Sequence, residues 1–173
     1  MYIGKQALLL LGLVFVAAFT FIAWYVGMHG FSARAKPMAM EAYFARHARL
    51  LSIPAGAKSM PNPIPATPLN IAEGRDHYAD HCAVCHANNG SGKTQLGSNL
   101  YPPSPDMRTQ ATQELTDGQL LYIIKNGVRF TGMPAWGGGD EENFKLVLFI
   151  RHLPQLNQDE LDLMHEVNQL DPQ

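Results

Sequence analysis

The hydrophobic positions of this chain form one unbroken block followed by several spaced stripes. The block is Ala7–Gly27, 21 residues without a charge. At 1.5 Å per helical residue it covers about 30 Å, the thickness of a bilayer's hydrocarbon layer. A cleaved signal peptide would carry an apolar region of roughly 7–15 residues before a small-x-small site. This block is longer and ends in Trp24 and Tyr25, aromatics suited to a membrane interface. Ala33-Arg34-Ala35 is only a weak cleavage signal. The pattern predicts an uncleaved single transmembrane helix within residues 1–30.

The next stripe is Pro37–Leu51. Met40, Phe44, Ala48 and Leu51 share one helical face, Tyr43, His47 and Leu50 lie beside them, and Arg46 and Arg49 lie toward the other side. Two placements stay open for this amphipathic helix: on a membrane or partner subunit, or on the protein's own soluble domain. Pro54–Pro68 then carries five prolines in 15 residues. It is expected to be an extended, semi-stiff spacer reaching up to about 45 Å, in preference to a strap wrapped on the globule. Residues 31–69 are thus a juxtamembrane helix and a Pro-rich spacer.

Three further stripes define a domain over residues 70–155. The first opens with Asn70 as N-cap and Glu73 three residues on, with Ile71, Tyr78 and Cys82 at helical spacing. The second has Thr116 as cap, Gln119 at the third position, Leu120, Leu121, Ile123 and Ile124 as its apolar face, and Gly127 as its stop. The third runs from about Asp140 to Leu153, with acids at its start, Arg151 and His152 in its last turn, and Pro154 beyond. A polar helix, about Gln158–Asn168, is expected to trail across the surface within a 156–173 tail. No strand-like alternation appears, so the predicted fold class is all-α.

Charge changes this picture in one respect. Residues 1–69 carry a net +5 and residues 70–173 a net −7. A basic segment beside an apolar helix suits anionic lipid head groups, and an acidic globule gives no sign of nucleic-acid binding.

The candidate chemistry sits in one stretch, His81–Lys93, which holds every cysteine of the chain, Cys82 and Cys85. A disulfide closing so short a loop at a helix end would have poor geometry and stabilise little. A structural zinc site needs four ligands, and there is no second cysteine pair. A thioredoxin-like dithiol belongs in a βαβ context, which is missing. The remaining reading of C-x-x-C-H is covalent attachment of one haem c, with thioethers from Cys82 and Cys85 and His86 as axial iron ligand. Of the later methionines, Met107, Met133 and Met164, Met133 sits in a tight, irregular Pro- and Gly-containing loop, "NGVRFTGMPAWGGG", rather than on a helix stripe. It is the expected sixth ligand, and a bis-histidine haem would need one of the scattered histidines to displace it.

"CAVCH", "SPDM", "FTGMPAWG" and "LVLFIRHL", in that order over about residues 70–155, resemble the class I cytochrome c family. The resemblance implies that the Pro105 carbonyl orients the His86 imidazole, and that Gly74 and Tyr78 form the face crossing the last helix near Phe149. It also marks Arg108 and Trp136 as candidates to bond haem propionates. The whole chain is similar to membrane-anchored monohaem c-type cytochromes of bacterial respiratory chains. That similarity implies a single-pass protein of the bacterial inner membrane with a periplasmic haem domain. It would carry single electrons between redox partner proteins in or at the membrane, without a small-molecule substrate and without being an enzyme itself. The alternative is a fixed haem subunit of a larger membrane oxidoreductase. The count of basic residues flanking the anchor opposes the periplasmic placement; the haem chemistry favours it.

Overall fold

The structure, a computed structural model, describes residues 2–168, so the end of the expected 156–173 tail lies outside the described residues. The chain divides into two compact units, one ending at Ala35 and one starting at Lys36. The first is built on helix α1, Tyr2–His29. Within it, Gly4–His29 is long and apolar enough to cross a membrane, and none of its most apolar stretch is buried. Thr20, a polar residue within the apolar block, returns its hydroxyl to the Val16 carbonyl at 2.7 Å, so that donor is paired within the helix.

Among the described residues, the regular elements of the second unit are all helices, one of them the single turn α6, Gln110–Gln113. Its frame is α4 (Pro68–His81), α7 (Asp117–Asn126), α8 (Asp140–His152) and α9 (Gln158–Val167). Helices α4 and α8 cross at Gly74, where a Cβ would stand 2.1 Å from the Lys145 carbonyl oxygen. Only hydrogen fits there. That approach seats Tyr78 against Phe149 with ring centroids 5.1 Å apart, both fully buried. Lys145 pins the crossing from outside through Glu73 at 2.7 Å and is itself steadied by Glu141 of its own helix at 2.9 Å. Arg151 ties α8 to the start of α7, with its Nε 3.0 Å from Asp117 and Nη1 donating to the Gln113 carbonyl at 2.6 Å.

Several local starts differ from expectation. Helix α4 begins earlier than Asn70: Thr67 is the N-cap, its hydroxyl accepting from the Asn70 N–H at 3.2 Å, and Pro68 fills the first turn, where a missing N–H costs nothing. In α7 the reciprocal Thr116–Gln119 capping box is present as predicted. Helix α9 has its own box, Asn157 with Glu160, and does more than trail across the surface. It packs on α4, buries Met164 in the core, and joins α8 through His152 and Glu160 at 2.8 Å.

The Pro-rich stretch is a strap, not an extended spacer. Pro54 starts a single turn of helix, α3 (Ala55–Lys58), whose small residues let its backbone lie on α7. A Cβ on Gly118 would stand 1.9 Å from the Ala57 carbonyl oxygen. Thr116 donates its hydroxyl to the Lys58 carbonyl at 2.9 Å, and Asn62 Nδ2 donates to the Phe144 carbonyl at 3.1 Å. Prolines removed N–H donors from this segment, but its carbonyls and side chains found partners on the globule.

Ahead of the strap lies α2, Ala39–Ser52. It packs on the globule through Leu50, and Ile53 just past its end is 2 % exposed. Glu41 accepts a 2.5 Å hydrogen bond from the Tyr101 hydroxyl. Met40, Tyr43, Phe44 and Leu51 face solvent. The seat therefore lies beside the most apolar stripe, not on it.

Candidate functional site

Helix α4 ends at His81, and Cys82 serves at once as its C-cap and as the N-cap of the one-turn helix α5, Ala83–His86. The Cys82 carbonyl accepts from the N–H of Cys85 at 3.1 Å and of His86 at 2.9 Å, which coils the motif tightly. The chain then reverses at Ala87, held at φ 63°. Its carbonyl is gripped by the buried Tyr78 hydroxyl at 3.0 Å, a contact that links the core to the motif. The following loop wraps the motif. Thr94 donates its hydroxyl to the Val84 carbonyl at 2.8 Å and accepts from the Gly97 N–H at 2.8 Å. A Cβ on Gly97 would stand 2.0 Å from the Cys85 carbonyl oxygen.

Both thiols are free. Burial, with Cys85 nearby, pushes the Cys82 pKa up to about 12, and burial raises Cys85 as well. They are protonated thiols at neutral pH, unlike the thiolates of redox or metal-binding pairs. Among the described residues no set of three His, Cys, Asp or Glu gathers to hold a metal ion.

The His86 imidazole is buried, and desolvation lowers its pKa to about 4 against a smaller opposing pull from the Pro105 carbonyl. It is neutral, so one ring nitrogen keeps a lone pair. Nδ1 is buried and lacks a hydrogen bond of full geometry, although the Pro105 carbonyl is its polar neighbour. An Nδ1–H directed at that carbonyl would leave the Nε2 lone pair free to bind a metal. Two free thiols, a neutral imidazole so oriented and a nearby thioether loop fit a covalently held haem iron.

That loop leaves α7 at Gly127, whose φ of 64° is open to glycine. It returns along the same helix: the Val128 N–H donates to the Met133 carbonyl, the Trp136 N–H to the Ile124 carbonyl and the Gly137 N–H to the Lys125 carbonyl, each at 3.1 Å. Thr131 Oγ1 accepts from the Met133 N–H at 3.1 Å. The backbone of Met133 is thus fixed on both sides while its side chain stays half-buried. Met107 and Met164, by contrast, lie in the apolar core.

Two contacts join the Met133 loop to the rest of the site. The Trp136 ring meets His81 edge-on at 5.5 Å, one residue before Cys82. Gly132 sits against the Leu100 side chain, in the loop that leads to Pro105. Cys82, Cys85, His86 and Pro105 thus form one wall, and Met133 and Trp136 belong to a second loop braced against it. Arg108 stands beside Pro105 but is engaged by Asp106, with Nε and Nη2 at 2.9 and 2.7 Å. The bracing residues Thr94, Gly97, Ala87 and Leu100 were not singled out from sequence; only the glycine-rich "NNGSGK" hinted at close backbone packing.

A C-x-x-C-H turn at the end of a helix that crosses a later helix, with a methionine loop between, defines a class I c-type cytochrome domain. Residues 69–150, a little under half of the chain, match the family described as cytochrome C oxidase, cbb3-type, subunit III, which supports a class I c-type cytochrome domain over those residues. A stretch of 41 residues is 42 % identical to thiosulfate dehydrogenase of Stutzerimonas stutzeri (strain A1501). That stretch is 24 % of this chain and only 13 % of that protein.

Proposed function

We propose that the chain is a membrane-anchored monohaem c-type cytochrome that passes single electrons between respiratory-chain partners on the periplasmic side of a bacterial inner membrane. The observation that carries this reading is the buried, neutral His86 facing Pro105 at the end of the two-thiol turn. Cys82 and Cys85 would each form a thioether to the macrocycle, His86 would bind the iron through Nε2, and Met133 would bind it from the opposite loop. Bound there, haem supplies a one-electron Fe(III)/Fe(II) couple. The role of this chain is to fix both axial ligands, exclude water with its apolar core, and favour the ferrous state through the Met133 thioether. Trp136 and Arg108 are the proposed propionate partners, and Arg108 would have to leave or share Asp106.

With His86 and Met133 both committed to the iron, no coordination position is left for a substrate, which favours a carrier over an enzyme. The short match to thiosulfate dehydrogenase covers too little of that protein to bring its substrate here. The acidic 70–173 region suits partners with a basic docking patch, and an α1 anchor would raise encounter frequency with them. The second reading, a fixed subunit of a membrane oxidoreductase, is favoured by the family description and by the uncovered apolar side of α2. Acid–acetone extraction tests the haem attachment: the wild type should keep its haem, and Cys82→Ser/Cys85→Ser should not. Haem released from the wild type would refute the thioethers. Purification from native membranes in mild detergent separates carrier from subunit, since a stoichiometric partner would favour the subunit.

A further inference from the structure

We propose that α2 is an interfacial helix whose outward side lies in the head-group layer of an anionic lipid surface. The proposal rests on the membrane-anchored reading above and adds a second lipid contact to it. Four large side chains on that side, Met40, Tyr43, Phe44 and Leu51, are 53–80 % exposed. At 100° per residue Met40, Phe44 and Leu51 fall within about 40° of one another, with Tyr43 at their flank. A solvated helix has no need of such a stripe, and here other residues, Leu50 beside it and Ile53 just past the helix end, already provide the seat on the globule.

Charge and chain length choose lipid as the occupant. Residues 30–52 carry Arg34, Lys36, Arg46 and Arg49 against Glu41, a net +3, whereas residues 53–173 carry a net −6. An anionic surface therefore attracts this edge of the molecule and repels the rest. Glu41, the one acid of the segment, is occupied by the Tyr101 hydroxyl. Only nine residues, 30–38, separate α1 from α2, a reach of about 30 Å when fully extended. A membrane holding α1 would thus have Arg34, Lys36 and the apolar stripe within reach. An apolar stripe on a helix whose other side carries Arg46 and Arg49 is the composition of helices that lie in the interface plane. The Glu41–Tyr101 bond connects α2 to the loop carrying Pro105, so lipid contact at α2 would set how the haem domain stands on the surface.

The test is carbene photolabelling of the full-length holoprotein in vesicles of phosphatidylcholine with phosphatidylglycerol, using a small lipophilic diazirine and mapping adducts by mass spectrometry. The expected result is adducts on α1 and on Met40, Phe44 and Leu51. Phosphatidylcholine alone should lower the α2 adducts and leave those on α1 unchanged. Met40→Ser/Phe44→Ser/Leu51→Ser should lose the α2 adducts with its haem spectrum intact. Adducts on α1 with none on α2 would overturn the proposal while the anchor stands, and would assign the stripe to a protein partner. Adducts on α2 with none on α1 would uphold α2 and refute the anchor. A vesicle-bound protein labelled on neither would refute both.

Discussion

Gly74→Ala adds one methyl group at the tightest helix contact of the haem domain. That methyl would stand 2.1 Å from the Lys145 carbonyl oxygen and 2.6 Å from its carbon, both of them backbone atoms. No rotamer can relieve it, so α4 and α8 must part by about 1 Å to restore an ordinary carbon–oxygen contact of roughly 3.2 Å or more. Parting the helices loosens the Tyr78–Phe149 pair and stretches the Lys145–Glu73 bridge. Overpacking of this kind costs about 1–3 kcal/mol, and the aromatic pair adds about 0.5–1.5 kcal/mol. Improved helix propensity returns at most about 1 kcal/mol. The net expectation is a loss of about 2–3 kcal/mol, which lowers the melting temperature by roughly 4–12 °C for a domain of this size. Gly56→Ala is the control, because the same methyl meets nothing within 4 Å there, in the short helix α3. It should leave stability unchanged or raise it by a few tenths of a kcal/mol. Guanidinium unfolding of the holoprotein, followed by circular dichroism, measures both. A Gly74→Ala protein within about 0.5 kcal/mol of wild type would refute the reasoning.

Gly97→Ala should lower the yield of haem-bearing protein, because its methyl would meet the Cys85 carbonyl oxygen at 2.0 Å and displace the turn that presents the thiols; unchanged haem content per protein would count against that role. A chain starting at Asn70 loses the buried Ile53, the Thr67 cap and the Thr116–Lys58 bond. It should be less stable than one starting at Lys36 by at least about 3 kcal/mol, and equal denaturation midpoints would show the strap to be dispensable. The Asp106 pKa lies below its ordinary 3.8, chiefly through the Arg108 hydrogen bond. A depressed carboxylate contributes stability above pH 3.8 that disappears as pH falls through the lower folded value. Asp106→Asn should therefore flatten the acid side of the stability profile in that window, and an unchanged profile would contradict the pairing.

Periodicity carried most of the frame. The stripes that became α4, α7 and α8 were legible because each buries one face against the others, and the Thr116–Gln119 box marked the start of α7 by chemistry alone. What escaped was decided by tertiary contact. A pattern identifies the apolar side of α2 but not what lies on it, and Leu50 with Ile53 won the seat over Met40, Phe44 and Leu51. Prolines in residues 54–68 signalled an inability to form long regular structure, which a strap satisfies as well as a free spacer does. Met164 is a lone buried side chain on a polar helix, so only the Asn157–Glu160 box could have shown that α9 is ordered. At the site, Cys82, Cys85 and His86 were readable because they are contiguous and their spacing is a chemical statement. Thr94, Gly97 and Ala87 were not, since their part is backbone contact across a loop. The Asp106–Arg108 pair also escaped, because it depends on the turn that brings the two side chains together.

The central claim is a haem iron held between His86 and Met133, and the far-red absorption of the oxidised full-length protein tests it most directly. The weak sulfur-to-iron charge-transfer band should be present in the wild type. It should persist in Met107→Ala, whose thioether lies in the core, and vanish in Met133→Ala. A band that survives Met133→Ala, or is missing from the wild type, would contradict the account.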